Sequence, residues 1–117
     1  MIAVPPGVRV LLWSQPVDFR AGMDRLAALV QLTLRRDPFA GDVYVFRSRR
    51  SDRVKLLLFD GTGLALVTKR LEQERFVWPA LSDGIVRLSA VQLSVLLVGL
   101  PWERLRSLPA PRPQAAC

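Results

Sequence analysis

A run of basic side chains lies in the middle of an otherwise apolar stretch of the chain. Four arginines and one lysine occur within nine residues, and Asp52 is the one acidic residue among them. Their positions are Arg47, Arg49, Arg50, Arg53 and Lys55. Guanidinium groups bind phosphate through paired hydrogen bonds, so this cluster is typical of a surface that binds a polyanion. A solvated turn with ordinary surface arginines is the alternative.

Side chains that could catalyse a reaction are scarce by comparison. The chain has no histidine, which excludes Ser-His-Asp and Cys-His catalysis and every histidine-ligated metal. The Asp-Gly-Thr-Gly at residues 60–63 has no second copy to complete an aspartic-protease dyad. A divalent-ion site built from Asp18, Asp60 and Glu72 remains as an alternative hypothesis. We expect no catalytic residue, metal site, cofactor or small-molecule substrate.

The composition limits the class of protein. A chain of 117 residues has room for one domain with one core. Its 17 Lys and Arg against 10 Asp and Glu give a formal net charge of +7, which favours a polyanionic partner. The single cysteine, the lack of a secretory signal and the short apolar runs predict a cytoplasmic protein without membrane contact.

The hydrophobic pattern predicts the elements that would position these side chains. Apolar residues at helical spacing predict a helix over residues 23–36. Ser89, with Gln92 three residues later, predicts the capped start of a second helix over residues 90–98. Runs of β-branched and apolar residues predict strands at residues 8–13, 42–47, 53–59 and 64–71.

These elements together predict one α+β domain over residues 1–106. A mainly antiparallel sheet of about four strands, in the order β-α-β-β-β-α, is expected to pack with one or two helices. Residues 107–117 are rich in Pro and Ala and have little to bury, so we expect a disordered tail.

Strand alternation predicts where the basic side chains point. In the strand over residues 53–59 the even-numbered side is the better core face, so Arg53 and Lys55 are expected on the exposed side. Lys69 and Arg70 lie on the next strand, which is expected to pair with this one. The sequence therefore predicts one positive strip along the hairpin.

A series of short motifs runs from about residue 8 to residue 102. They are D-x-R-x-G at 18–22, D-P-x-x-G at 37–41, F-R-x-R-R-x-D-R-x-K at 46–55, D-G-x-G at 60–63 and K-R-L-E-x-x-x-F-x-W-P at 69–79. This series resembles the TnpB-type accessory protein, or "Orf two" product, of the sixty-six family of bacterial insertion sequences. Glu74 departs from the family pattern, which more often has glycine there.

The resemblance implies a role in transposition beside a separate transposase that carries the strand-cutting carboxylates. Together with the basic strip, it predicts a non-catalytic accessory factor that binds DNA through phosphate contacts. The candidate contacts are Arg20, Arg47, Arg49, Arg50, Arg53, Lys55, Lys69 and Arg70. The alternative is a protein-interaction module that docks on the transposase through its apolar second helix and Trp102, without touching DNA.

Overall fold

A five-stranded sheet forms the centre of the computed structural model, which describes residues 7–73, 75–78 and 84–98. Within these ranges the elements are β1 (Val10–Trp13), α1 (Met23–Leu32), β2 (Val43–Arg47), β3 (Arg53–Phe59), β4 (Leu64–Arg70), β5 (Ile85–Leu88) and α2 (Ala90–Leu97). The strands lie in the order β4-β3-β2-β1-β5. β1 and β2 are parallel and are connected through α1, whereas every other neighbouring pair is antiparallel.

The predicted α+β class and the mainly antiparallel sheet are confirmed. The sheet has a fifth strand, β5, which pairs with β1 so that Leu88 lies opposite Val10. Its four residues are too few to show a clear alternation in the sequence. The predictions on Glu74, on Trp102 and on the tail at 107–117 lie outside the described residues.

Helix α1 is shorter than the predicted 23–36, because it ends at Leu32. The N–H of Leu34 bonds back to the carbonyl of Leu29, and Arg35 then takes a left-handed φ of 57°. The chain therefore leaves the helix one turn early and enters β2.

The capping box predicted for α2 is present. The N–H of Gln92 donates to Ser89 Oγ over 3.1 Å, and the N–H of Ser89 donates to Gln92 Oε1 over 2.8 Å. This exchange satisfies two backbone donors that the first turn of a helix leaves unpaired. It fixes the start of the helix that covers one face of the sheet.

Each face of the sheet carries its own hydrophobic cluster. On one face α2 packs through Leu93 and Leu96 onto side chains that include Leu12 and Leu56. On the other face α1 packs onto a cluster of Leu11, Leu26, Val30, Tyr44, Phe46 and Leu57. The sheet is thus covered on both sides, with side chains alternating between the two clusters.

This covering overturns one expectation about β3. The odd-numbered side of the strand was expected to face solvent, but α1 and the segment before it lie on that side. Lys55 is therefore only 8% exposed.

Among the described residues, no helix has the length and apolar character needed to cross a membrane.

Candidate nucleic-acid interface

A cleft of about 380 Å³ opens where the turn between β2 and β3 meets the segment before α1. We call it the arginine cleft. It is lined by Pro16, Val17, Asp18, Phe19, Arg20, Ser48, Arg49, Arg50 and Arg53. Four guanidinium groups and one carboxylate meet there, so the lining carries a net positive charge.

The segment that forms one wall of the cleft is held by Lys55. Its Nζ donates to the carbonyl oxygens of Phe19 and Ala21, each over 2.8 Å, and lies 4.9 Å from the centre of the Phe19 ring. A buried ammonium is costly unless it is hydrogen-bonded, and these contacts satisfy it. The N–H of Val17 also donates to the carbonyl of Arg47, which joins the wall to β2.

The prediction that Lys55 lies on the exposed side of β3 is therefore wrong. The side chain is a positioning residue, because it points into the protein and fixes the backbone that carries Asp18 and Arg20. The pattern of basic residues does not predict this contact, since residues 16–21 have no periodicity that shows where they pack.

Arg47 is also used within the protein. Its Nε donates to the carbonyl of Ser14 over 3.1 Å, and its guanidinium carbon lies 5.9 Å from the centre of the Trp78 ring. The side chain is half-buried and does not line the cleft. It ties the end of β2 to β1 and to the segment that follows β4.

The turn at residues 48–52 holds two arginines toward solvent. Ser48 Oγ donates to the carbonyl of Arg50 within the turn. The N–H groups of Leu71 and Phe76 donate to the carbonyls of Asp52 and Ser51 from outside it. Arg49 and Arg50 are exposed, and neither forms an ion pair within the part of the chain that the structure describes.

Arg53 is half-buried and lines the cleft. Its Nε lies 3.9 Å from Asp52 Oδ1, which is too long for a hydrogen bond. Both atoms are buried and lack a hydrogen-bond partner among the described residues.

Arg20 forms a two-pronged contact with Asp18. Its Nε and Nη2 donate to the carboxylate over 3.1 and 2.9 Å, and its backbone N–H donates to Oδ1 over 2.9 Å. These bonds lower the pKa of Asp18 from 3.8 to about 2, first through the Arg20 side chain and then through its backbone. The carboxylate therefore stays charged, although the Arg20 side chain is 91% exposed.

Arg70 lies beside the cleft and Lys69 lies away from it. Arg70 is directly opposite Arg53 in the β3–β4 register, so both side chains leave the same face of the sheet. Its guanidinium donates to both carboxylate oxygens of Glu72, over 3.2 and 3.0 Å, and this pairing raises the pKa of Arg70. Lys69 lies on the opposite face and lines a different cavity, between β4 and α2.

The structure thus replaces the predicted strip by a smaller arrangement. It brings Arg20, Arg49, Arg50 and Arg53 around one cleft, with Arg70 on the same face. Neighbouring residues of a strand point to opposite faces, so Lys69 and Arg70 could not both have joined a single strip.

The acidic residues left open as a metal site are not assembled. Asp60 Oδ1 accepts from the N–H groups of Thr62 and Gly63 and from Thr62 Oγ1, each over 2.9 Å, and so caps the β3–β4 turn. This turn lies at the far end of β3 from Arg53, which lines the same cleft as Asp18, and the strand between them is about 20 Å long at about 3.3 Å per residue. Within residues 7–73, 75–78 and 84–98, no three acidic or cysteine side chains are grouped as metal ligands.

Comparisons with known proteins find a matching family model and similar bacterial proteins. A family model described as "IS66 Orf2 like protein" matches residues 8–107. The uncharacterized protein y4jC of Sinorhizobium fredii (strain NBRC 101917 / NGR234) is 43% identical over 113 residues, which cover 97% of each chain. The uncharacterized protein y4hO of the same strain is 41% identical over 101 residues, covering 85% of this chain and 88% of its own. No solved structure matches.

Proposed function

The chain belongs to the IS66 Orf2-like family of accessory proteins of transposition, and we propose that it assists a separate transposase by binding DNA phosphates in the arginine cleft. Membership of this family accounts for the role in transposition. The cleft supplies the chemistry by which this chain takes part in it.

The main support is the meeting of four guanidinium groups around one opening. Arg49 and Arg50 come from the turn, Arg20 from the segment before α1 and Arg53 from β3. Like charges held this close repel one another, and a polyanion relieves that repulsion. A phosphate group offers several acceptor oxygens to the forked donors of arginine, which favours phosphate over a single carboxylate.

The exposed arginines differ in how freely they can bind. Arg49 and Arg50 need give up no ion pair of the described structure when phosphate arrives. Arg20 has to share its donors with Asp18, and the carboxylate repels an anion. We therefore assign the strongest phosphate contacts to the turn and a weaker one to Arg20.

The proposed role involves no bond cleavage by this chain. Phosphate contacts position DNA without reading its sequence, so specificity comes from the transposase or from the shape of the DNA. The acidic residues nearest the cleft support this role, because Asp18 is occupied by Arg20 and Asp52 lies against Arg53.

Binding to labelled duplex DNA across a series of salt concentrations tests the proposal. Even if each of the four guanidinium groups neutralised one phosphate, the slope of log affinity against log salt would be no steeper than about −3.6. The same series on an element end and on unrelated DNA should give similar slopes, because phosphates are common to both. Affinity that stays constant as salt rises would exclude binding through the arginine cleft.

Docking on the transposase is a second candidate function, favoured by a different surface. A cavity of about 470 Å³ between β4 and α2 is lined mainly by apolar side chains, with Thr68 and Lys69 beside them. Two of the apolar side chains, Val67 and Val98, are 37% and 39% exposed. Isolated exposed apolar residues are normal, but two that line one groove suit a protein partner. A pull-down with the transposase after nuclease digestion tests it, since direct docking survives digestion and a DNA bridge does not.

A further inference from the structure

The two walls of the arginine cleft differ in chemistry. Arg49, Arg50 and Arg53 belong to the turn and to β3, whereas Pro16, Val17 and Phe19 belong to the segment before α1. A site for phosphate alone has no use for an apolar wall, which phosphate does not contact favourably. The ligand that fits both walls has an anionic part and a flat apolar part.

We propose that the arginine cleft takes one unpaired nucleotide of single-stranded DNA, with its phosphate on the turn arginines and its base against Pro16, Val17 and Phe19. This inference rests on the proposed function, since it specifies which form of DNA the same site binds. A volume of about 380 Å³ lies within the range of small-ligand sites, roughly 300–1,000 Å³, and is sufficient for one nucleotide.

The shape of the site favours an unpaired base over a duplex. In a duplex the bases are stacked and paired, and the phosphates lie on a convex surface that touches only the rim of a cleft. A base that is unpaired can enter a concave site and stack on an aromatic or apolar side chain. Phe19 is half-buried among the cleft residues and supplies such a side chain.

The charges in the cleft fix the direction in which the nucleotide lies. Asp18 lies on the segment before α1 and occupies the donors of Arg20, so the positive charge of that segment is largely neutralised. Arg49 and Arg50 attract the phosphate to the turn. The base is left with the side of the cleft that carries Phe19.

The apolar wall is held in place before any ligand arrives. Lys55 Nζ bonds the carbonyl of Phe19 and lies 4.9 Å from the centre of its ring, and the N–H of Val17 bonds the carbonyl of Arg47. A preorganised wall avoids the entropy cost of ordering a loop on binding. A structural need to bury Phe19 explains its contact with Lys55, but it does not explain why the residue lines an arginine-rimmed cleft.

The test compares three probes of equal length on the wild-type protein: a single strand, the same strand with abasic sites throughout, and a duplex. The two single strands carry the same phosphates, so only the bases distinguish them. We expect the abasic strand to bind on the order of tenfold more weakly, as the loss of one stacked base predicts. The duplex should also bind more weakly than the intact single strand.

Equal affinity for the intact and abasic strands would overturn the inference and leave the proposed function standing, provided that both weaken with salt. A duplex that binds as tightly as the intact strand would overturn it in the same way. If no probe binds, the proposed function itself fails.

A variant pair adds a readout on the protein side. Phe19→Leu should lose affinity for the intact strand and keep its affinity for the abasic one. Phe39→Leu is the control, because Phe39 is 49% exposed and packs edge-on against Phe59 at the opposite end of β3. If Phe19→Leu does not fold, the comparison of the three probes on the wild-type protein still tests the inference.

Discussion

The Nζ of Lys55 lies 2.8 Å from the carbonyl oxygen of Phe19, and so links the middle of β3 to the segment that forms one wall of the arginine cleft. The same nitrogen bonds the carbonyl of Ala21. One buried cation therefore fixes two backbone positions on either side of Arg20. The geometry of the cleft depends on a lysine that does not reach it.

Replacing Lys55 by Met should destabilise the fold and weaken DNA binding together. Met keeps the apolar part of the side chain and leaves the carbonyls of Phe19 and Ala21 without their donor. The loss of charged hydrogen bonds at a buried site is expected to lower the free energy of unfolding by about 2–3 kcal/mol. Urea denaturation measures the stability, and a salt-dependent binding series measures the cleft.

Lys69→Met is the matched control for this change. Lys69 is exposed on the opposite face of the sheet, so the same substitution should change stability by less than about 0.5 kcal/mol. If the two variants were equally stable and bound DNA equally well, Lys55 would not position the cleft.

The sequence predicted the elements better than it predicted which side chains are exposed. The bounds of β3 and the capped start of α2 followed from hydrophobic alternation and from the Ser89–Gln92 pair. The burial of Lys55 could not be predicted in this way, because alternation assigns side chains to two faces of a sheet without showing that both faces are covered. What covers Lys55 is an irregular segment, and no periodicity in residues 16–21 indicates where it packs.

Within the candidate site, the turn arginines were predicted and the apolar wall was not. The D-x-R-x-G motif drew attention to Asp18 and Arg20, whereas Phe19 lies between them as one of its variable positions. Its position in the lining of the cleft is held by a contact with Lys55, which is 36 residues away in the chain. A contact over that separation cannot be read from local pattern.

Asp18→Asn should tighten DNA binding and reduce stability near neutral pH. The carboxylate places a negative charge in the cleft and occupies Arg20, so its removal favours an anion. The folded-state pKa of Asp18 lies below 3.8, at about 2, so the pair stabilises the fold above about pH 4 and this stabilisation is lost as the pH falls toward 2. The stabilities of wild type and variant, measured in urea, should therefore converge near pH 2.

Asp60→Asn provides the comparison for the binding part of that prediction. The N–H and hydroxyl of Thr62 and the N–H of Gly63 lower the pKa of Asp60, so its stabilising effect is also lost in acid. It caps a turn at the other end of β3, however, and should leave DNA affinity unchanged. An equal gain in affinity from both variants would mean that net charge matters and the cleft does not.

Arg47→Lys should reduce stability while leaving DNA binding intact. Lysine keeps the charge but has no Nε donor for Ser14 and no planar group to lie over Trp78. We expect the free energy of unfolding to fall by about 1 kcal/mol, with the salt slope of binding unchanged. If the variant had wild-type stability but bound DNA less well, Arg47 would contact DNA and would not stabilise the fold.

Removing the two turn arginines should weaken DNA binding without affecting the fold. Arg49 and Arg50 are exposed and form no ion pair in the described structure, so replacing both by Ala should change stability by less than about 0.5 kcal/mol. Each lost phosphate contact makes the salt slope shallower by about 1, so the double variant should lose about 1 where the two arginines hold a single phosphate and about 2 where each holds its own. Both quantities come from urea denaturation and a salt-dependent binding series.

The control for this pair removes the same charge at two positions outside the cleft. Arg36 lies beyond the C-terminal end of α1 and Arg87 lies on β5, and neither lines the cleft. Replacing both by Ala lowers the net charge by the same two units and should leave the slope nearly unchanged, since release of counterions depends on the phosphates that are contacted. If the control weakened binding as much as the turn variant did, long-range attraction by the net charge would explain the affinity, and the arginine cleft would have no special part in it.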